Sequence, residues 1–130
     1  MHERRLLQFA VALACLVPFA AGGAGVMESV AMVKHVGIPP TDLDSHFRYI
    51  SGLFLGMLLL FVSCIPNVER HGPRLRMLAF MVFIGGLFRF YSLVAIGTPS
   101  LGHQIGLGIE LVELPLILLW QARIARRLSE

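Results

Sequence analysis

Four apolar runs, each long enough to cross a lipid bilayer, constrain this chain more than any other feature. They are Leu6 to about Val26, Tyr49 to Ile65, Met77 to Gly97, and about Leu101 to Ala122. A helix needs roughly 17–25 such residues to span hydrocarbon. The backbone there must be helical, because lipid offers no partner for N–H and C=O groups. The 130 residues are 56% hydrophobic and 15% charged, with a mean hydropathy of +0.75. A soluble domain of this length has too little interior to hide so much apolar surface. The expected fold is therefore an all-α integral membrane four-helix bundle, a single domain over residues 1–130. Its helices are expected at about 5–26, 42–65, 75–97 and 101–126, with an outer loop at 27–41.

The basic residues orient the bundle. Arg4 and Arg5 precede the first run, Arg70, Arg74 and Arg76 lie between the second and third, and Arg123, Arg126 and Arg127 follow the fourth. The first loop has Lys34, with Arg48 at its membrane edge, and the third loop has no basic residue. Both termini and the second loop are thus expected in the cytoplasm, and a bacterial inner membrane is the expected location. The basic start and apolar run resemble a signal peptide. The run from Leu6 to Met27 lacks a good small-x-small cleavage site and is read as a retained first helix. Pro18 interrupts it, and Gly22, Gly23 and Gly25 are expected to loosen its far end.

Nucleic-acid binding has no support, since no basic stretch is interleaved with aromatics. Cys15 and Cys64 form no CxxC pattern and read as small buried hydrophobes. In the outer loop, Val30, Val33, Val36 and Gly37 fit a short amphipathic turn before Ile38-Pro39-Pro40 breaks it. Thr41-Asp42-Leu43-Asp44 reads as a helix start, with Thr41 as N-cap and Asp44 in the capping-box position. Asp44 and Arg48, at i and i+4, have the spacing of an ion pair.

Ionisable residues inside the apolar runs are the candidates for function, because hydrocarbon makes unpaired charge costly. Arg89 sits in the third run, Glu110 and Glu113 in the fourth. With the turn near Thr98 to Leu101, residues of the hairpin whose numbers sum to about 199 should lie level. Arg89 and Glu110 meet that rule, and Glu113 falls opposite Gly86. The expected polar cluster is Asp44, Arg48, Arg89, Glu110 and Glu113, in the outer half of the membrane. Each has a plainer structural reading. Asp44 serves as a cap, Arg48 snorkels to lipid phosphates, Arg89 and Glu110 pin two helices together, and Glu113 hydrogen-bonds across helices. The sharper reading is a pocket that binds a polar head group or moves a proton. Two carboxylates this close favour one retained proton, which makes Glu110 and Glu113 the candidate general acids. Asp42, Asp44, His46 and His103 match no established metal-ligand spacing, and neither metal nor cofactor is expected. Gly52-x-x-x-Gly56 and Gly102-x-x-x-Gly106 are small-xxx-small patterns that permit close helix approach, within the bundle or in a homodimer.

Several segments together resemble one family. They are Arg48-Tyr49-Ile50-Ser51-Gly52-Leu53-Phe54-Leu55-Gly56, Cys64-Ile65-Pro66-Asn67-Val68-Glu69, Gly85-Gly86-Leu87-Phe88-Arg89, and Glu110-Leu111 through Pro115 with Trp120-Gln121. The family comprises small bacterial four-helix membrane proteins catalogued as domain of unknown function 4345. The resemblance implies a four-helix inner-membrane protein with Arg48, Arg89 and Glu110 on motif positions, and Glu113 departs from it. No activity carries over.

The expected function is non-catalytic: binding of a lipid or small amphiphile in a polar outer-half pocket, or service as an accessory membrane subunit. Alternatives are an intramembrane acid–base enzyme acting on a membrane-soluble substrate, and a proton-coupled transporter working as a dimer. The partners weighed are the lipid bilayer, an amphiphilic ligand, and a homodimer or larger membrane complex.

Overall fold

The computed structural model describes residues 2–33 and 36–129. Lys34 and His35, on which part of the first-loop reading rests, lie outside the described residues. The described chain is all-helical. Helix α1 is His2–Glu28, followed by a 3-10 turn at Ser29–Met32. Helix α2 is Thr41–Cys64, with a 3-10 turn at Ile65–Asn67, and α3 is Gly72–Ala95. The last long helix is built of α4 (Leu101–Gly108), a π-helical turn (Ile109–Glu113) and α5 (Leu114–Ser129). All four long helices are apolar enough to cross a membrane.

The prolines act locally in different ways. Helix α1 runs through Pro18 without a break. Pro39 and Pro40 hold the chain extended ahead of α2, and Pro40 is its N-cap at φ −56°, ψ 143°. Thr41 is therefore the first helical residue and not the cap. No side chain caps this helix, and the Asp44 carboxylate turns to Arg48 instead. Pro73 sits in the first turn of α3, where its missing N–H costs no hydrogen bond. Pro115 shapes the fourth helix. It has no N–H, and its ring crowds the carbonyl four residues back. The turn before it widens, so that the Leu114 N–H donates to the Ile109 carbonyl.

The helices alternate in direction, which puts both termini and the α2–α3 loop at one end. Here Arg127 meets Glu3 at 3.1 Å and Arg4 meets Glu69 at 3.1 Å. The last carbonyls of a helix lack helical partners, and side chains supply them for α2 and its extension. Arg4 donates to the Pro66 carbonyl (2.7 Å) and Gln8 to that of Ile65 (2.8 Å). Gln121, 2% exposed, donates to Val68 (3.1 Å) and Glu69 (3.2 Å).

The apolar core occupies this same half. Leu7, Val11, Leu58, Phe61, Cys64, Leu75, Leu78 and Ile117 are buried together. Toward the other end the burial thins to Gly22, Gly25, Ser29, Val30, Gly86 and Glu110. Outward faces carry Leu16, Phe19, Leu53, Phe80, Phe88 and Leu119, all more than half exposed. A helix of a soluble bundle would be charged on that side.

Two close approaches are set by glycine. Gly22 and Gly25 pack against Phe54, Leu55 and Ser51 of α2, so closely that a Cβ at Gly25 would collide with the Ser51 hydroxyl. These glycines do not loosen α1. They bring it onto α2.

Candidate functional site

Away from the termini α1 stays against α2 and α3 against the fourth helix, and a cavity of about 550 Å³ lies between these two pairs. Its origin is legible in side-chain size. Ala14, Pro18, Ala21 and Gly22 of α1 face it, as do Ser51 of α2 and Gly102 and Gly106 of α4. Helix α1 reaches the fourth helix through α5, whereas α4 leans on α3. The seam between α1 and α4 is consequently open. Gly102-x-x-x-Gly106 thus makes room here and brings no helix closer: nothing lies near Gly102, and Gly106 faces the Arg89 guanidinium. Gly52 and Gly56 also meet nothing within the bundle.

The cavity has two chemically distinct ends. Val11, Leu58, Phe61, Leu75 and Ile117 wall the deep end, and Arg89, Glu110, Ser100 and His103 line the other. From Leu75 to Arg89 the lining follows α3 for about 21 Å at 1.5 Å per residue.

Arg89 Nη2 lies 3.2 Å from Glu110 Oε1. The pair is not level, contrary to the hairpin arithmetic. Helix α3 ends at Ala95 and α4 begins at Leu101, so the hairpin turns earlier than Thr98 to Leu101. Gly86, the expected neighbour of Glu113, instead faces Glu110 and Leu111, with a Cβ there only 2.9 Å from each. Arg89 stands nearly one turn closer to the hairpin loop and reaches back across Gly106 to the carboxylate.

Glu110 is 8% exposed, and its second oxygen, Oε2, is shielded from water with no hydrogen-bond partner. Arg89 makes no other polar contact among the described residues. The contact is therefore a charge pair with unfilled hydrogen-bonding capacity on both sides. At the cavity mouth, Ser100 Oγ and His103 Nδ1 lie 2.9 Å apart.

The five-residue cluster expected from sequence divides. Asp44 and Arg48 form their ion pair at 3.0 Å. Arg48 also donates to the carbonyls of Val26 and Met27 (3.1 Å to the latter), and so finishes the end of α1. Neither residue lines the cavity. Glu113 is half-buried, lies outside the cavity, and has no polar partner among the described residues. The π turn explains this. It turns less per residue than an α-helix, so residues three apart no longer share a face. A Glu110–Glu113 pair of general acids has no geometric support. Among the described residues no three His, Cys, Asp or Glu side chains gather as a metal site.

Sequence reasoning named Gly22, Gly102 and Gly106 but not their part in opening the α1–α4 seam, and it missed Ala14, Ala21 and the work of Gln8 and Gln121. An uncharged amide inside an apolar run is the signal that points to the latter two.

Fold and site together define a four-helix protein with membrane-span helices, closed at the end that carries its termini, and holding a cavity with a buried ion pair at its other end. The chain belongs to the family described as domain of unknown function (DUF4345), which it matches over residues 6–121. No curated protein and no solved structure matches it.

Proposed function

We propose that this protein binds a lipid or small amphiphile within a bacterial inner membrane. The carrying observation is the two-ended cavity: apolar walls along most of its length, and the Arg89–Glu110 pair at one end. A volume of about 550 Å³ is of the size that encloses one small ligand. The bundle is oriented with both termini in the cytoplasm, because Arg4, Arg5, Arg70, Arg74, Arg76, Arg123, Arg126 and Arg127 all belong to the termini end. The ion pair then lies in the outer half of the membrane. The open α1–α4 seam faces the bilayer, so an amphiphile passes in sideways from the lipid.

Mass spectrometry of the gently extracted protein tests this reading. A reproducible co-purified amphiphile is expected, and Ala14→Phe, which fills the cavity wall, should remove it while the bundle stays folded. An unchanged lipid complement in Ala14→Phe would place the ligand on the outer surface and defeat the proposal.

A further inference from the structure

The cavity also carries information about its ligand's polar end. Arg89 and Glu110, 3.2 Å apart, supply one positive and one negative charge. The other charges nearby, Asp44 and Arg48, are paired with each other and face the end of α1. His103, at the mouth, is engaged with Ser100. The site is thus already neutral. A phosphate or carboxylate brought to Arg89 would sit against the Glu110 carboxylate, and an ammonium at Glu110 would sit against Arg89. In surroundings of low dielectric neither charge would be compensated. Glu110 Oε2 is closed off even from a water-sized molecule, so the acceptor that Glu110 offers to the cavity is Oε1, beside the Arg89 guanidinium. Arg89, 35% exposed at the side chain, has N–H groups to give.

We infer that the ligand is a single-chain amphiphile whose head group is uncharged and carries hydroxyl groups, donating one hydrogen bond to Glu110 and accepting another from Arg89. This rests on the cavity being an amphiphile site and adds the chemistry of the head. One chain follows from the volume: a cavity of about 550 Å³ encloses one small ligand.

The test uses the full chain in phosphatidylcholine nanodiscs, equilibrated with equal amounts of four oleoyl-type amphiphiles. These are monooleoylglycerol (neutral, hydroxyl-bearing), methyl oleate (neutral, no donor), oleoyl lysophosphatidylglycerol (anionic) and oleyltrimethylammonium (cationic). Native mass spectrometry reads which is bound. Monooleoylglycerol is expected in about tenfold excess over each of the others, the ratio one hydrogen bond to a charged group confers. Equal occupancy by all four would overturn the inference and leave amphiphile binding standing. A lead for either charged compound would overturn it as well. No bound amphiphile would overturn both.

Glu110→Gln supplies an independent check. It leaves Arg89 uncompensated, so preference should move to the anionic lysophosphatidylglycerol by about tenfold. A preference that does not move shows that the pair does not read the head group. If that variant does not fold, Arg89→Gln/Glu110→Gln replaces it. That double variant restores neutrality and must still reject both charged amphiphiles, or the inference fails.

Discussion

Arg89 and Glu110 are joined across a difference in depth of nearly one helical turn: the guanidinium passes Gly106 on its way to Oε1, 3.2 Å away. The two ends of this contact are unequal. The Glu110 side chain is 11% exposed, whereas that of Arg89 is 35% exposed and turned to the cavity.

That inequality predicts unequal substitutions. Arg89→Ala leaves a buried carboxylate unpaired and should cost about 3 kcal/mol. Glu110→Ala leaves a cation that water or a lipid phosphate can reach, and should cost roughly half as much. The double variant should be more stable than Arg89→Ala alone. Unfolding by titration with SDS in mixed micelles measures all three, and equal losses for the two single variants would contradict the asymmetry.

Gly86 and Gly85 are adjacent in sequence and opposite in consequence. A Cβ at Gly86 would lie 2.9 Å from Glu110 Cβ and from Leu111 Cδ2, while one at Gly85 meets nothing within 4 Å. Gly86→Ala should destabilise by about 1–3 kcal/mol through overpacking. Gly85→Ala should be neutral or gain about 0.5–1 kcal/mol of helix propensity. The same SDS titration separates them.

Pro115→Ala restores an N–H to the position that widens the preceding turn. A regular α-helix then becomes available to Ile109–Glu113, which turns Glu110 away from Arg89. Stability should rise by about 1–3 kcal/mol, since proline in a helix interior costs about 3 kcal/mol relative to alanine. Amphiphile occupancy should fall at the same time. Gains in both stability and binding would show that the π turn does not aim Glu110.

Arg48→Ala tests the division of the polar residues. It frees the Val26 and Met27 carbonyls and the Asp44 carboxylate, and should destabilise by about 1–2 kcal/mol. Head-group selectivity in the folded protein should be unchanged, because Arg48 does not line the cavity. A shift in selectivity would return Arg48 to the site.

Legible in the sequence are the four membrane-length helices, the arginines grouped at one end, the Asp44–Arg48 spacing, and the pairing of Arg89 with Glu110. Each follows from local rules: hydrocarbon demands self-satisfied backbone, charge is excluded from it, and residues four apart share a helical face. Tertiary structure alone decided the register of the α3–α4 hairpin, and with it that Gly86 faces Glu110 and not Glu113. It also decided that Arg48 finishes α1 and does not join the cavity, and that small residues on α1 and α4 face one another across open space. A few residues in the position of a turn, or one widened turn before Pro115, rotate side chains to another face of a helix without altering composition or periodicity. Span and end charge are therefore written in the sequence, whereas register and facing are written in the packing.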